Sequence, residues 1–282
     1  MAPLPTIPGY ELLRPLGGGP LTLVVAARRC ADDAACALKL PRDQWPEHAT
    51  AVRLLRREAR ALRAVRHPHL VRLLDAHVTG SPFFLVQELL SGESLRERLQ
   101  REYALDLRTT VWVARQTAEA LAALHQAGYV HGDVKPDNVQ LLDAGTAVLV
   151  DLGFAHRPGE NTVLSDEELI LGTASYLAPE LCGDDPDDGF AADWFSFGVM
   201  LFEMLTGTLP YPAGSLAETL ERHRRDEPAV RVADVADAWP PRLAALVEGL
   251  LARAPAARPR AALVVHELIA LEIAALRLRR AG

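Results

Sequence analysis

Carboxylate and amide side chains cluster in two short segments in the middle of the 282-residue chain. The first segment, residues 131–138, contains Asp133 and Asn138, and the second, residues 151–153, begins with Asp151. Phosphoryl transfer requires a carboxylate that orients the attacking hydroxyl group, and oxygen ligands that hold Mg²⁺ on the phosphates. Asp133 has the chemistry for the first task. Asn138 and Asp151 have it for the second, because Mg²⁺ prefers hard oxygen donors.

Lys39 and Glu58 form a second candidate pair. Lys39 lies within a short apolar run that reads as a strand, and Glu58 lies in a stretch with helical periodicity. The residues three and four positions from Glu58 are all apolar: Leu54, Leu55, Ala61 and Leu62. A carboxylate in such a stripe needs a cation from elsewhere, since an unpaired buried charge is costly. We therefore predict that Lys39 pairs with Glu58.

The order of these motifs resembles that of the eukaryotic-type (Hanks-type) Ser/Thr protein kinases over roughly residues 10–267. The first segment resembles the catalytic loop, and the second resembles the metal-binding loop with Leu152 in place of the usual Phe. The resemblance implies that Asp133 accepts the proton of a Ser or Thr hydroxyl group and that Lys135 stabilises the transferred charge. It also implies that the two oxygen donors named above hold Mg²⁺, and that Lys39 contacts the α- and β-phosphates of ATP.

Residues 16–24 resemble the glycine-rich loop of the family and depart from it in two places. Gly17 and Gly19 match its first two glycines, and Val24 matches its valine. Thr22 occupies the position of the third glycine, and Pro20 removes a backbone N–H group. We therefore expect this loop to hold the phosphates of ATP less tightly than a loop with all three glycines.

Residues 84–90 resemble the strand that leads into the kinase hinge. On this alignment Gln87 is the gatekeeper, and the backbone of Glu88 and Leu90 faces adenine. A polar gatekeeper predicts a hydrogen bond at the back of the nucleotide pocket. The residues predicted to bind ATP are Gly17, Gly18, Gly19, Val24, Ala37, Lys39, Gln87, Glu88, Leu90, Asn138 and Asp151.

The segment 172–180 resembles the end of a protein-kinase activation segment. By resemblance, Glu180 forms a buried pair with Arg258, and Asp193 braces the backbone of the catalytic loop. Thr173 is expected to form a hydrogen bond near Asp133, as its counterpart does in the family.

Two other functions stay open at this point. The sequence His131-Gly132-Asp133 also occurs in kinases of small molecules such as aminoglycosides or choline, which have a related fold. Lys135 and the ending of the activation segment favour the protein kinases. The second alternative is a pseudokinase, a binding or scaffolding module with the same fold. The altered glycine-rich loop supports this alternative, and the intact catalytic residues oppose it.

Gly132 bears on regulation, because most protein kinases have an Arg at this position that pairs with a phosphate on the activation segment. Without that side chain, the phosphate loses its main local receptor. We therefore predict activity that does not require phosphorylation of the activation segment, although Thr162 or Ser165 can still be modified. The alternative is that another arginine, such as Arg157 or one on the Glu58 helix, receives the phosphate.

Composition narrows the class further. The net charge is −7, which disfavours a general nucleic-acid binder. The three cysteines match neither a zinc pattern nor a disulfide framework, which is typical of reduced thiols in the cytoplasm. We find neither a signal peptide nor a membrane segment, and we expect a soluble cytoplasmic protein. The expected partners are ATP, protein substrates and a second copy of the chain during autophosphorylation.

The pattern of elements predicts an α+β fold with the two lobes of a protein kinase. Strands dominate up to about residue 88, with one helix at 48–65, and helices dominate residues 89–282. We therefore predict a single kinase domain over residues 1–282, with a small antiparallel β-sheet lobe and a larger, mostly helical lobe. The predicted strands are 10–16, 21–28, 35–40, 70–75, 83–89, 139–142 and 147–150. The helices predicted for the larger lobe include 107–126, 193–206 and 261–279.

Overall fold

A computed structural model describes residues 4–42, 48–160, 174–182, 189–211, 216–224, 230, 232–235 and 239–278. Five strands in the first part of the chain form one antiparallel sheet in the order β1-β2-β3-β5-β4. They are β1 (Tyr10–Gly17), β2 (Thr22–Arg29), β3 (Ala35–Pro41), β4 (Leu73–His77) and β5 (Phe84–Gln87). Alternating apolar positions in β2 and β3 place Val25, Ala27, Cys36 and Leu38 in one cluster on a single side of this sheet.

Helix α1 (His48–Ala64) packs on the sheet against β3, β4 and β5. The apolar stripe predicted around Glu58 is the face that packs, because Leu54, Leu55, Ala61 and Leu62 are all buried. Most arginines of α1 point to the opposite, exposed side. The helix is therefore amphipathic, and its charged buried residue, Glu58, points towards the sheet.

The rest of the described chain forms a larger, mostly helical lobe. A second sheet of three short strands, β6 (Gly92–Ser94), β7 (Val139–Leu142) and β8 (Thr146–Leu149), lies at its edge. Helix α4 (Phe190–Thr206) is apolar on nearly all sides and is buried at the centre of the lobe. The helices are α2 (Leu95–Glu102), α3 (Leu107–Gln126), α4 (Phe190–Thr206), α5 (Leu216–Arg224), α6 (Pro241–Leu250) and α7 (Ala261–Leu278).

This architecture confirms the predicted two-lobed α+β fold. The starts of two elements were predicted three residues away from where they lie: β4 was expected at residues 70–75 and lies at Leu73–His77, and α4 was expected at residues 193–206 and lies at Phe190–Thr206. Leu70 and Val71 instead pair with Leu149 across the junction of the lobes. Helix α2 and strand β6 were not predicted as separate elements. Each helix in the described ranges is too short or too polar to cross a lipid bilayer.

Candidate active site

Lys39 is at the centre of a buried cluster of charges. It lies in β3, and its Nζ is 2.6 Å from Oε2 of Glu58 on α1 and 2.6 Å from Oδ1 of Asp151. The side chains of Lys39 and Glu58 are 4% and 1% exposed, whereas that of Asp151 is 38% exposed. The predicted Lys39–Glu58 pair is therefore present. Lys39 also connects the small lobe to the segment that begins at Asp151.

The cluster perturbs the pKa of each member. Burial lowers the pKa of Lys39, but Asp151 and Glu58 outweigh burial and raise it above its usual value. Burial opposes ionisation of Asp151, yet the charge and hydrogen bond of Lys39 lower the pKa of its carboxyl group. Burial raises the pKa of Glu58, and Lys39 acts against that rise. Lys39 is therefore a cation at neutral pH, with Asp151 as a carboxylate beside it.

Gln87 completes the polar environment of Glu58. Its Nε2 donates a hydrogen bond to Oε1 of Glu58 at 2.7 Å, and the Gln87 side chain is buried at the end of β5. This is the hydrogen bond that the polar gatekeeper predicted. Each carboxylate oxygen of Glu58 thus has its own donor, as a buried carboxylate requires.

Asp133 and its neighbours form the second half of the site. Asn138 Nδ2 donates to Oδ2 of Asp133 at 2.9 Å and to its backbone carbonyl at 2.8 Å. Lys135 Nζ lies 2.8 Å from the same Oδ2. Asn138 occurs in a short 3₁₀ turn, Pro136–Asn138, which brings its side chain back to Asp133. The three residues predicted from the first segment therefore share one constellation.

Asp193 on α4 holds the loop that carries Asp133. Its Oδ2 accepts from the backbone N–H of His131 at 2.7 Å, and its Oδ1 accepts from that of Gly132 at 2.9 Å. His125 Nε2 is a further partner at 2.8 Å. Burial opposes ionisation of Asp193, but the bond from His125 and the backbone donors lower its pKa. The predicted brace is therefore present in the structure.

Two side-chain oxygen atoms of the site are candidate ligands for a metal ion. Within the described part of the chain, the hydrogen bonds of Asn138 use its amide nitrogen, which leaves its Oδ1 for a cation. Among the same residues, Lys39 and the N–H of Gly153 both contact Oδ1 of Asp151, which leaves Oδ2 of that carboxylate. An amide oxygen and a carboxylate oxygen are hard donors, and this donor set fits Mg²⁺.

The residues predicted to surround adenine are neighbours in the sheet. Val24 is in register with Lys39 and with Gly17, and Ala37 is in register with Gln87. The backbone N–H of Glu88, the residue after β5, donates to the carbonyl of Arg72 at 3.1 Å. The Glu88 side chain accepts from the backbone N–H of Arg72 at 2.8 Å. Leu90 follows in the connection to the large lobe.

The glycine-rich loop connects β1 and β2. Gly18 has φ of +140°, and a Cβ atom there would lie 2.3 Å from the carbonyl oxygen of Thr22, so only glycine fits. The carbonyl of Gly19 accepts from Nε of Arg42 at 3.0 Å. Thr22 is buried and pairs with Pro41 in β3. Arg42 is a contact of this loop that the sequence did not indicate.

A polar cluster next to the catalytic loop was not predicted from the sequence. Arg96 on α2 contacts Glu203 on α4 at 2.6 Å and Asp137 of the catalytic loop at 3.2 Å. Tyr176 donates to Glu203 at 2.5 Å and also contacts Arg96. Glu203 is an acidic residue in an otherwise apolar stretch of α4, which is the signal that identified Glu58. This cluster fixes Asp137, the residue before Asn138.

The predicted Glu180–Arg258 pair is also present. Arg258 Nη1 and Nη2 donate to the two carboxylate oxygens of Glu180 at 2.5 and 2.7 Å. Such bidentate geometry adds direction as well as energy to an ion pair. Thr173, Thr162 and Ser165 lie outside the described residues.

Comparison with known proteins finds similarity to protein kinases. The family model for the protein kinase domain matches residues 10–269. The serine/threonine-protein kinase PknL of Mycobacterium tuberculosis is 36% identical over 245 residues, which cover 86% of this chain and 61% of PknL. PknD of the same organism is 33% identical, with coverage of 88% and 37%. PrkC of Bacillus subtilis is 28% identical, with coverage of 89% and 38%. The chain thus spans less than two thirds of the length of these curated relatives.

The fold has two lobes, and a lysine of the small lobe contacts one carboxylate from each lobe. The match over residues 10–269 covers most of the sequence. The chain therefore belongs to the protein kinase domain family.

Proposed function

We propose that this chain is an ATP-dependent protein Ser/Thr kinase that transfers the γ-phosphoryl group of Mg-ATP to Ser or Thr hydroxyl groups, including its own. The observation that carries the proposal is the double contact of Lys39 with Glu58 and Asp151. This contact supports an assembled site, because it connects α1 to the metal-binding loop. The names of the relatives, which are all serine/threonine-protein kinases, support the choice of substrate class.

In the proposed mechanism, Asp133 orients the attacking hydroxyl group and takes its proton. Asn138 fixes the Asp133 carboxylate through the hydrogen bond to Oδ2. Asp193 fixes the backbone of the loop that carries Asp133. Lys135, which already lies against Asp133, is placed to neutralise charge on the transferred group. These residues position the acceptor and stabilise charge, and the transfer needs little further covalent help from the protein.

Lys39 binds the α- and β-phosphates, and Glu58 holds Lys39 in place. Asn138 and Asp151 would hold Mg²⁺, which supplies charge neutralisation on the phosphates when it is bound. The adenine site is formed by Val24, Ala37 and the backbone that follows Gln87, with the glycine-rich loop above the phosphates. Lys39 contacts Oδ1 of Asp151, so Oδ2 of this carboxylate would hold the metal while the contact with Lys39 stays in place.

We further propose that residues 1–282 form one kinase domain with a lobe boundary near residue 88, that the protein acts in cytoplasmic signalling, and that copies associate during autophosphorylation. The lack of a membrane-spanning helix among the described residues is compatible with this location. A pseudokinase is disfavoured because all five residues of the predicted catalytic set are present. Lys39 contacts Glu58 and Asp151, and Asn138 contacts Asp133.

One assay separates the three candidate functions. The purified chain is incubated with Mg-ATP labelled on the γ-phosphate, and incorporation is measured into itself, into a generic protein substrate and into aminoglycosides or choline. A protein Ser/Thr kinase yields phosphoserine or phosphothreonine in protein. ATP binding without transfer indicates a pseudokinase, and transfer only to the small molecules indicates the other rival. Either of these last two results would refute the proposal.

A further inference from the structure

Arg42, the residue that follows β3, binds the glycine-rich loop at two points. Its backbone N–H donates to the carbonyl of Leu21 at 2.9 Å, and its side-chain Nε donates to the carbonyl of Gly19 at 3.0 Å. These two carbonyls belong to the residues on either side of Pro20. A single residue therefore holds the loop between β1 and β2 through both its backbone and its side chain.

The backbone contact continues the ladder between β2 and β3. Thr22 at the start of β2 lies opposite Pro41, and the hydrogen bond from Arg42 to Leu21 lies one residue beyond this pair. The loop is thereby joined to the strand that carries Lys39. Any residue except proline has the backbone N–H for this contact. The side-chain contact, in contrast, requires a long side chain that carries a donor.

The tip of the loop has little packing of its own. Gly19 and Pro20 are both exposed, and a Cβ atom added to Gly19 would meet nothing within 4 Å. Pro20 has no backbone N–H, so the peptide group between these two residues offers only a carbonyl oxygen. If this oxygen turned towards a phosphate it would repel it, because both carry negative charge. The hydrogen bond from Arg42 holds the carbonyl in one direction.

The first part of the same loop is fixed by the sheet itself. Gly17 is in register with Val24 in the ladder between β1 and β2. Gly18 lies so close to the carbonyl of Thr22 that a Cβ atom would come within 2.3 Å of the oxygen. The side chain of Arg42 binds at the next residue, where the loop has left this packed region. It therefore acts where the rest of the small lobe gives the loop least support.

We propose that Arg42 is a positioning residue for the phosphates of ATP, and that it acts by holding the Gly19 carbonyl with its side-chain Nε. The proposal rests on the proposed function, since it requires that this loop covers the phosphates. Pro20 and Thr22 depart from the family motif, and one of them removes a donor from the loop. The contact with Arg42 keeps the tip of this altered loop in a defined conformation.

The contact lowers the cost of ordering the loop on a nucleotide. A loop that is already held loses less conformational freedom when a ligand binds than a free loop does. This gain applies to ATP, whose phosphates lie under the tip of the loop, and not to adenosine, which has no phosphates. A residue that only stabilised the fold would change the affinity for both ligands. The ratio of the two affinities therefore reports on the role of Arg42.

The test compares two substitutions of similar length in the full chain. Arg42→Gln keeps an N–H donor at the position of Nε and loses the charge, whereas Arg42→Met loses both. We expect Arg42→Met to raise KM for ATP about fivefold, equivalent to about 1 kcal/mol for one hydrogen bond, with kcat within about twofold of wild type. Arg42→Gln should keep KM within about twofold. Arg14→Met, which replaces an exposed arginine of β1, is the matched control and should do the same.

Two binding measurements separate positioning from a general effect on the fold. Titration calorimetry in the presence of Mg²⁺ gives the dissociation constants of ATP and of adenosine for each variant. We expect the preference for ATP over adenosine to fall about fivefold in Arg42→Met and to be retained in Arg42→Gln. Hydrogen exchange of the free chain, followed by mass spectrometry, should be faster across residues 17–22 in Arg42→Met than in wild type, because the tip of the loop is no longer held.

An unchanged affinity of Arg42→Met for ATP would overturn the proposal, and so would equal losses for ATP and adenosine. A loss in Arg42→Gln as large as that in Arg42→Met would assign the effect to charge and not to the hydrogen bond, which also overturns it. Thermal unfolding shows whether each variant is folded, and an unfolded Arg42→Met protein would point to a structural role instead. A wild-type chain that binds ATP but transfers no phosphoryl group would refute the proposed function, while the ratio of affinities would still decide the role of Arg42.

Discussion

The two sides of helix α1 treat charge in opposite ways. On the buried side, Glu58 has two donors, Lys39 and Gln87, and both are themselves buried. On the exposed side, Arg53, Arg56, Arg57 and Arg60 lie around Glu160, and Arg60 contacts its carboxylate. A charge that is removed from water must be paired, since desolvation otherwise costs several kcal/mol. A charge in contact with water can stay in excess. The buried side therefore has the features of a permanent structural link, and the exposed side has those of a solvated surface.

The largest difference between the two sides of α1 is expected when one charge is removed from each of them. Glu58→Gln leaves Lys39 with Asp151 alone, and we expect kcat/KM to fall about 100-fold because Lys39 is no longer held on the phosphates. Unfolding free energy should fall by about 3 kcal/mol, as when one partner of a buried pair is removed. Arg57→Gln should change stability by no more than about 0.5 kcal/mol. Denaturant unfolding and steady-state kinetics measure both variants.

The comparison is wrong if Arg57→Gln destabilises the chain as much as Glu58→Gln does. That result would mean that the arginines on the exposed side of α1 form a structural network and not a solvated surface.

A second variant sharpens the description of the buried side. Gln87→Leu keeps a side chain of similar size but leaves Oε1 of Glu58 without its donor. An unsatisfied buried acceptor costs about 1–3 kcal/mol, so we expect a loss of stability in that range. Gln100→Leu, on the exposed side of α2, is the matched control and should be nearly neutral. Equal stabilities of the two variants in urea would show that Gln87 contributes nothing to the Glu58 site.

The sequence was sufficient to predict the contacts on the buried side of α1 and those within the catalytic loop. Glu58 was recognisable because four apolar neighbours at helical spacing left it without a local cation, and Lys39 was the available partner. Glu203 gave the same signal in α4, but its partners Arg96 and Tyr176 are 107 and 27 positions away. No periodic pattern connects such distant positions, so the cluster is visible only once the helices have packed.

The prediction of where β4 starts was wrong for a related reason. Residues 70–75 are apolar enough to form a strand, yet the N–H of Val71 donates to the carbonyl of Leu149 at 3.0 Å. Tertiary pairing at the junction of the lobes therefore competes with the local strand pattern. The arginines on the exposed side of α1 are intermediate between these cases. They are recognisable in the sequence, but the approach of Glu160 to them is not.

The glycine-rich loop offers a smaller test on the nucleotide side of the sheet. Thr22→Gly restores the third glycine of the family motif, and we expect KM for ATP to fall or stay the same, with a modest change in kcat. The variant also removes a buried side chain at the start of β2, so its stability should be measured alongside. Complete loss of ATP binding in a folded Thr22→Gly protein would show that Thr22 has a role in the site itself.

The smallest expected effect concerns His69, which follows α1. Burial lowers the pKa of His69 below its usual value of 6.5. The unfolded chain therefore binds a proton that folded His69 resists, and stability from this group is present above pH 6.5 and lost as pH falls towards its folded pKa. We expect His69→Gln to lose less stability than wild type between pH 7 and 5. Parallel curves for His69→Gln and wild type would contradict this assignment.

The most direct test of the central claim is the initial rate of phosphoryl transfer to protein by Asp133→Asn. The control is Asp143→Asn, which makes the same chemical change in the exposed turn between β7 and β8. Loss of a positioned proton acceptor costs about 10² to 10⁴ in rate. We predict a fall of that size for folded Asp133→Asn and an unchanged rate for Asp143→Asn. Equal rates for wild type and folded Asp133→Asn would contradict the account of this site.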